Sequence, residues 1–114
     1  MHEVRIAADL GSIVIQTAVR EELSRVTRVN VNFGQLVQIV PEIFEFAFSE
    51  AVKGTLAQDA LLDIEIIPVK MVCKTCGTEF NVMDNVFRCR KCNSTDLEIK
   101  NGKELFVKSI EGER

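Results

Sequence analysis

The sequence predicts an α+β fold: two helices packed on a three-stranded mixed β-sheet, with an inserted four-cysteine, zinc-ribbon-like module ahead of the last strand. Three observations predict it. Two segments, near residues 6–20 and 41–52, carry apolar residues at the three- and four-residue spacing of amphipathic helices. Two others, near 29–33 and 62–66, alternate apolar and polar residues as half-buried strands do, and a third strand near 105–110 follows an Asn-Gly turn signal. Between the second and third of these strands lie two Cys-x-x-Cys pairs.

In the first helix Ile6, Leu10, Ile13, Val14, Thr17 and Ala18 form the apolar stripe, and Ile15 and Val19 widen it. This helix is expected to start two or three residues after His2. Gly11 costs it about 1 kcal/mol relative to alanine. Near Arg25 the period becomes two: Val29, Val31 and Phe33 alternate with Arg28, Asn30 and Asn32, and Gly34 ends the run. Pro41 suits the first position of the second helix because its φ is fixed and it has no N–H to leave unpaired. Glu42 then favours the positive end of the helix dipole. Phe44, Ala47, Phe48 and Ala51 make the buried stripe, flanked by Ile43 and Val52, and Gly54 is expected as the C′ residue. Leu62, Ile64 and Ile66 form the next strand, and Pro68 marks its exit. A strand, a helix and a strand in succession imply a right-handed parallel crossover, so a final strand rejoining the sheet would make it mixed. Asn101-Gly102, between Leu97–Lys100 and Leu105–Ile110, reads as a type I′ hairpin turn. The expected units are a body of residues 1–70 with 97–114 and a cysteine-bearing module of residues 71–96.

Composition excludes several functions. The chain has 114 residues, 46% of them hydrophobic, enough for one domain with its own core. Fourteen basic residues against 17 acidic give a net charge of −3, so no general field holds a nucleic-acid backbone. No apolar run approaches the roughly 18 residues of a membrane span. Met1-His2-Glu3-Val4-Arg5 lacks the pattern of a secretory signal, so a cytoplasmic setting is expected, where cysteines stay reduced. With one histidine, no tyrosine and no phosphate-binding glycine loop, the chain offers little to an enzyme active site. Asp63 and Glu65, and Glu42, Glu45 and Glu50, read as solvated faces of a strand and a helix.

Cys73-x-x-Cys76 and Cys89-x-x-Cys92 are separated by twelve residues. Two such loops supply four thiolates that converge tetrahedrally on Zn(II), a closed and structural arrangement with no open position for substrate. Gly77 and Asn93 follow the second cysteine of each loop, where the backbone needs φ > 0. Lys70, Lys74, Arg88, Arg90 and Lys91 would offset the site's negative charge, and Phe80, Val82 and Phe87 supply the module's few apolar groups. The competing reading is a pair of redox disulfides, but a thioredoxin-like Cys-x-x-Cys belongs at a strand-to-helix junction and neither pair lies at one.

His2 is the sole histidine and sits one residue from the α-amine. Amine, deprotonated backbone amides and imidazole can fill a square plane of nitrogens, which suits Ni(II) or Cu(II) and not tetrahedral Zn(II). Glu3 could add its amide or its carboxylate. By itself a histidine at position 2 is equally an ordinary residue of a frayed terminus.

Taken together, Met1-His2-Glu3, the Thr27–Gly34 strand ending in Phe33-Gly34, Pro41-Glu42, Lys53-Gly54-Thr55-Leu56-Ala57, the two cysteine pairs and Glu104-Leu105 through Glu111 resemble the HypA/HybF family of hydrogenase-maturation nickel metallochaperones. The resemblance covers nearly the whole chain. It implies a non-enzymatic carrier in which Met1, His2 and Glu3 bind Ni(II) as transient cargo and Cys73, Cys76, Cys89 and Cys92 hold structural Zn(II). It also implies a nickel-binding maturation GTPase and the hydrogenase large-subunit precursor as partners, with urease served by some members. Relatives that carry histidines beside the cysteine loops differ from this chain, whose nickel plane must close with amide nitrogen, carboxylate, water or a partner's ligand. The alternative is a zinc-ribbon protein-interaction adaptor whose only metal is structural. The wide apolar arc of the first helix permits either a monomer or a dimer.

Overall fold

The computed structural model describes residues 2–82 and 86–114, with His2 described by its backbone alone. The elements in order are α1 (His2–Arg20), β1 (Arg25–Gly34), a 3-10 turn (Gln35–Val37), α2 (Pro41–Ala51), β2 (Leu61–Ile67), β3 (Lys70–Cys73), β4 (Glu79–Asn81), β5 (Leu97–Asn101) and β6 (Leu105–Glu113). They form two three-stranded sheets, ordered β2-β1-β6 and β4-β3-β5. The chain divides into two compact units: residues 1–32, 39–65 and 105–114, and residues 33–38 with 66–104.

The first unit holds α1, α2 and the sheet of β2, β1 and β6. Arg28 of β1 pairs with Asp63 of β2, while Ser24 N–H donates to the Glu113 carbonyl just beyond the start of β1 (2.7 Å). Nearer the start of β1 the Val26 N–H donates to the Leu56 carbonyl ahead of β2, so β2 runs parallel to β1. Farther along, Asn30 Nδ2 donates to Ser109 Oγ, so β6 runs antiparallel and the sheet is mixed. Val26, Val29 and Val31 of β1, Phe44 and Phe48 of α2, and Ala7, Leu10, Val14 and Ala18 of α1 are buried. The two phenylalanine rings stack with centroids 5.8 Å apart.

Three details of this body differ from the pattern in the sequence. α1 starts at His2, not two or three residues later. Its buried stripe is centred on Ala7 and Gly11, and Ile13 is 48% exposed. A Cβ on Gly11 would lie 3.3 Å from Val52 Cγ1 and 3.6 Å from Ala51 Cβ, so the glycine permits close approach to the end of α2 and offsets its poor helix propensity. α2 ends at Ala51 with Val52 as C-cap, which places Gly54 (φ +79°) one position beyond C′.

The second unit carries the cysteines. β3 pairs antiparallel with β4 (Met71 opposite Phe80) and with β5 (Met71 opposite Ile99, Cys73 opposite Leu97). The expected hairpin at Asn101-Gly102 does not form: β5 joins β3, and β6 joins β1 in the other sheet. The dipeptide is the point where the chain leaves one sheet for the other. Gly102 has φ +125°, its N–H donates to Glu104 Oε1 (2.8 Å), and its carbonyl accepts from Leu36 N–H (2.9 Å). Within this unit β3 (Lys70–Cys73) leads into the first cysteine pair and β5 (Leu97–Asn101) follows the second. Its core is small: Val69, Met71, Cys73, Phe80 and Cys89, with Leu36, Val82, Leu97 and Ile99 packed on them. Phe87, expected in this core, is 43% exposed.

Gly34 is the tightest backbone approach in this unit. A Cβ there would overlap the carbonyl of Gly102 and the nitrogen of Lys103, which are backbone atoms and cannot rotate away. Gly34→Ala is expected to destabilise the protein by about 3 kcal/mol. A thermal or urea melt with wild-type stability would show that this segment adjusts at no cost.

Candidate functional site

The four cysteines converge as their spacing predicts. Cys73 closes β3 and Cys76 follows one turn later; Cys89 and Cys92 occupy an equivalent turn later in the module. All four Sγ atoms lie within 4.8 Å of one another, with Cys73–Cys92 at 3.5 Å and Cys76–Cys89 at 3.6 Å. A tetrahedron with metal–sulfur bonds of about 2.3 Å has edges of roughly 3.8 Å, so the donor set fits one tetrahedral metal ion. None of the four is disulfide-bonded in this structure.

Two near-identical turns build this cage. Gly77 N–H donates to the Cys73 carbonyl (2.8 Å) and Asn93 N–H to the Cys89 carbonyl (2.9 Å). Both residues have positive φ, +78° and +64°, as their positions require. Cys73 N–H donates to the Thr78 carbonyl and Cys89 N–H to the Ser94 carbonyl, 2.9 Å in each case. Lys91 and Cys92 N–H groups point at Cys89 Sγ (3.4 and 3.5 Å), the orientation that stabilises a thiolate. Thr75 and Ser94 hydroxyls, 3.0 Å apart, link one turn to the other. Sequence reasoning missed that link, although a hydroxyl residue within or just after each cysteine pair was there to be read. Of the expected compensating cations, Lys70 instead pairs with Glu79 (3.6 Å), alongside Lys100 (3.1 Å). The Arg90 guanidinium donates to the Asn81 carbonyl (3.3 Å).

The thiols differ in acidity. Cys76 is lowered to about 6, chiefly by hydrogen bonds from the Thr78 hydroxyl and backbone. Backbone hydrogen bonding from Cys76 lowers Cys73 as well. Cys92 is pushed up to about 12: a Ser94 backbone hydrogen bond lowers it, but the Cys73 sulfur, burial and the other two sulfurs outweigh that. Four thiolates so close together need a cation among them. Metal binding near pH 7 is therefore expected to release at least one proton per ion, from Cys92, and affinity should fall as pH falls. Titrations in buffers of differing ionisation enthalpy measure this, and binding without proton release would show that the thiols were already ionised.

At the other end of the chain, His2 is the first residue of α1, where a helix N–H has no intrahelical acceptor. Glu3 is 8% exposed, and its Oε2 accepts the N–H of Val40 at 3.1 Å. Sequence periodicity gave no hint of that contact, because it joins residues 37 positions apart. Met1 and the side chain of His2 lie outside the described residues. Asp63, Glu65, Glu42, Glu45 and Glu50 are exposed, as solvated faces should be. Among the described residues no helix is long and apolar enough to cross a membrane.

The chain matches known proteins over nearly its whole length. Residues 1–112 match the family model described as hydrogenase/urease nickel incorporation, metallochaperone, hypA. A hydrogenase maturation factor HypA from Desulfatibacillum aliphaticivorans is 40% identical over 97% of this chain and 86% of its own length. A hydrogenase maturation factor HybF from Morganella morganii is 34% identical over 99% of this chain and all of its own length. The solution structure of the nickel metallochaperone HypA from Helicobacter pylori superposes with a TM-score of 0.71, at 26% identity and 97% coverage of both chains. A second solution structure of a HypA protein gives a TM-score of 0.74 at 29% identity, covering 98% of this chain and 96% of that one. Four converging thiols, two helices on a mixed sheet and a family match over residues 1–112 place the chain in the HypA family of hydrogenase-maturation nickel-incorporation metallochaperones.

Proposed function

We propose that this chain binds Ni(II) as cargo at its N-terminus and delivers it during maturation of nickel–iron hydrogenase, while a structural Zn(II) holds the cysteine unit together. The observation that carries this reading is the N-terminal geometry. His2 opens α1, and the next residue, Glu3, accepts the Val40 N–H and so fastens the start of that helix to the segment that leads into α2. Fixing the chain there lowers the entropy lost when the amine, amides and imidazole close around one ion. A square plane of nitrogens suits Ni(II), whereas four sulfurs in a tetrahedron suit Zn(II), so each metal has its own site. In this reading Met1 supplies the amine, His2 the amide and imidazole, and Glu3 its amide; Cys73, Cys76, Cys89 and Cys92 hold zinc. Residues 1–32, 39–65 and 105–114 then form the nickel-binding body and the rest the zinc unit.

A closed four-thiolate site offers no coordination position for chemistry, so the protein works by binding and transfer and not by catalysis. A carrier must also release its load, and the single imidazole limits how tightly the terminus can hold it. The partners in this reading are a nickel-binding GTPase and the hydrogenase large-subunit precursor, met in the cytoplasm. Titration of the zinc-loaded chain with Ni(II) tests the assignment. One ion per chain with the diamagnetic, square-planar visible spectrum is expected. A chain that binds zinc but no nickel would instead be the interaction adaptor with structural metal alone.

A further inference from the structure

We propose that the Glu3 carboxylate is a positioning strut for the N-terminal nickel ligands and not one of those ligands. This rests on the reading of the terminus as a nickel site and assigns a role within it. Glu3 is the buried charged residue among those described, at 8% exposure, and its Oε2 accepts the Val40 N–H at 3.1 Å. Val40 is the N-cap of α2, a position that its valine side chain cannot fill with a hydrogen bond, and Pro41 behind it has no N–H. The carboxylate from α1 therefore occupies the positive end of the α2 dipole. As the acid in the first turn of α1, it favours the positive end of its own helix as well. One side chain ties the starts of two helices together.

The consequence for the terminus is geometric. Two residues precede Glu3, and they contain the amine, the amide and the imidazole of the proposed nickel plane. The Glu3–Val40 contact fixes the residue to which those donors are covalently attached, so the proposed chelate closes with less loss of freedom. If the carboxylate left Val40 to coordinate nickel, a part-buried N–H at a helix start would lose its acceptor, which would weaken binding by about tenfold or more. The carboxylate is therefore more useful to the site where it is.

Three variants test the proposal, with nickel affinity, the visible spectrum and hydrogen exchange of the Val40 amide as readouts. Glu3→Gln keeps an oxygen acceptor of nearly the same shape. It is expected to bind nickel within about threefold of wild type, with the same spectrum and a slow Val40 amide. Glu3→Ala removes the acceptor and is expected to weaken nickel binding about tenfold and to speed Val40 exchange. Val40→Pro removes the donor and leaves the carboxylate intact, at a backbone φ of −88° that proline approaches, and should weaken binding as Glu3→Ala does. A loss in Glu3→Gln equal to that in Glu3→Ala overturns the proposal, and so does wild-type affinity in either Glu3→Ala or Val40→Pro. If the native chain shows no nickel binding that His2→Ala removes, the reading of the terminus is what fails. Val40 exchange in Glu3→Ala reports the strut whatever the nickel result.

Discussion

One residue added ahead of Met1 is expected to abolish nickel binding while leaving the zinc content unchanged. The addition removes the α-amine from its place beside the His2 amide and puts an ordinary peptide bond there, so the chelate loses its terminal nitrogen. His2→Ala is expected to do the same by removing the chain's sole imidazole. Each change takes one of the few strong donors from a square plane, and no second histidine exists to replace it. Neither change alters a residue of the cysteine cage, whose core residues Val69, Met71, Cys73, Phe80 and Cys89 belong to the other unit. Metal analysis after dialysis against both ions checks this. Nickel retained at full stoichiometry by the extended chain would move the site away from the terminus.

The second large effect is expected in the cysteine unit. Cys73 is fully buried at the end of β3, opposite Leu97 of β5, and Cys73→Ser removes both a thiolate and a core side chain. With so few buried apolar residues around it, the unit is expected to depend on the proposed zinc, and structural zinc contributes about 10 kcal/mol to folding in small modules of this kind. Zinc should be lost and amide protection across β3, β4 and β5 should collapse. The helical circular-dichroism signal from α1 and α2 should survive, because their buried residues belong to the other unit. Loss of that signal as well would mean that the two units fold as one.

These expectations were legible in the sequence to different degrees, and the reason is distance along the chain. The cage could be read because each Cys-x-x-Cys turn is local, and Gly77 and Asn93 mark the two residues that must take positive φ. Both helices and the β1 and β2 strands followed from periodicity, which reports the face a segment buries. What periodicity does not report is the partner. Asn101-Gly102 has the local chemistry of a hairpin turn, yet β5 finds its neighbour in β3, on the far side of the cysteine loops, and β6 finds its own in β1. The centre of the α1 stripe moved from Ile13 toward Gly11 for a similar reason. The end of α2 comes close to that glycine, and close approach favours the smallest side chain over the most apolar one. The Glu3–Val40 contact was invisible because an acidic residue near a helix start needs no partner to be explained. His2 was readable as a candidate ligand only because the other strong nitrogen and sulfur donors had been accounted for.

In the proposed arrangement nickel and zinc occupy different ends of the chain, in different geometries. X-ray absorption at the nickel edge, on the native chain loaded with one equivalent each of Zn(II) and Ni(II), tests this most directly. The expected result is a square-planar nickel with nitrogen and oxygen neighbours, including one imidazole, and no sulfur in its coordination shell. Sulfur ligands on nickel, or a tetrahedral nickel site, would place the cargo among Cys73, Cys76, Cys89 and Cys92 and contradict the assignment of the two metals.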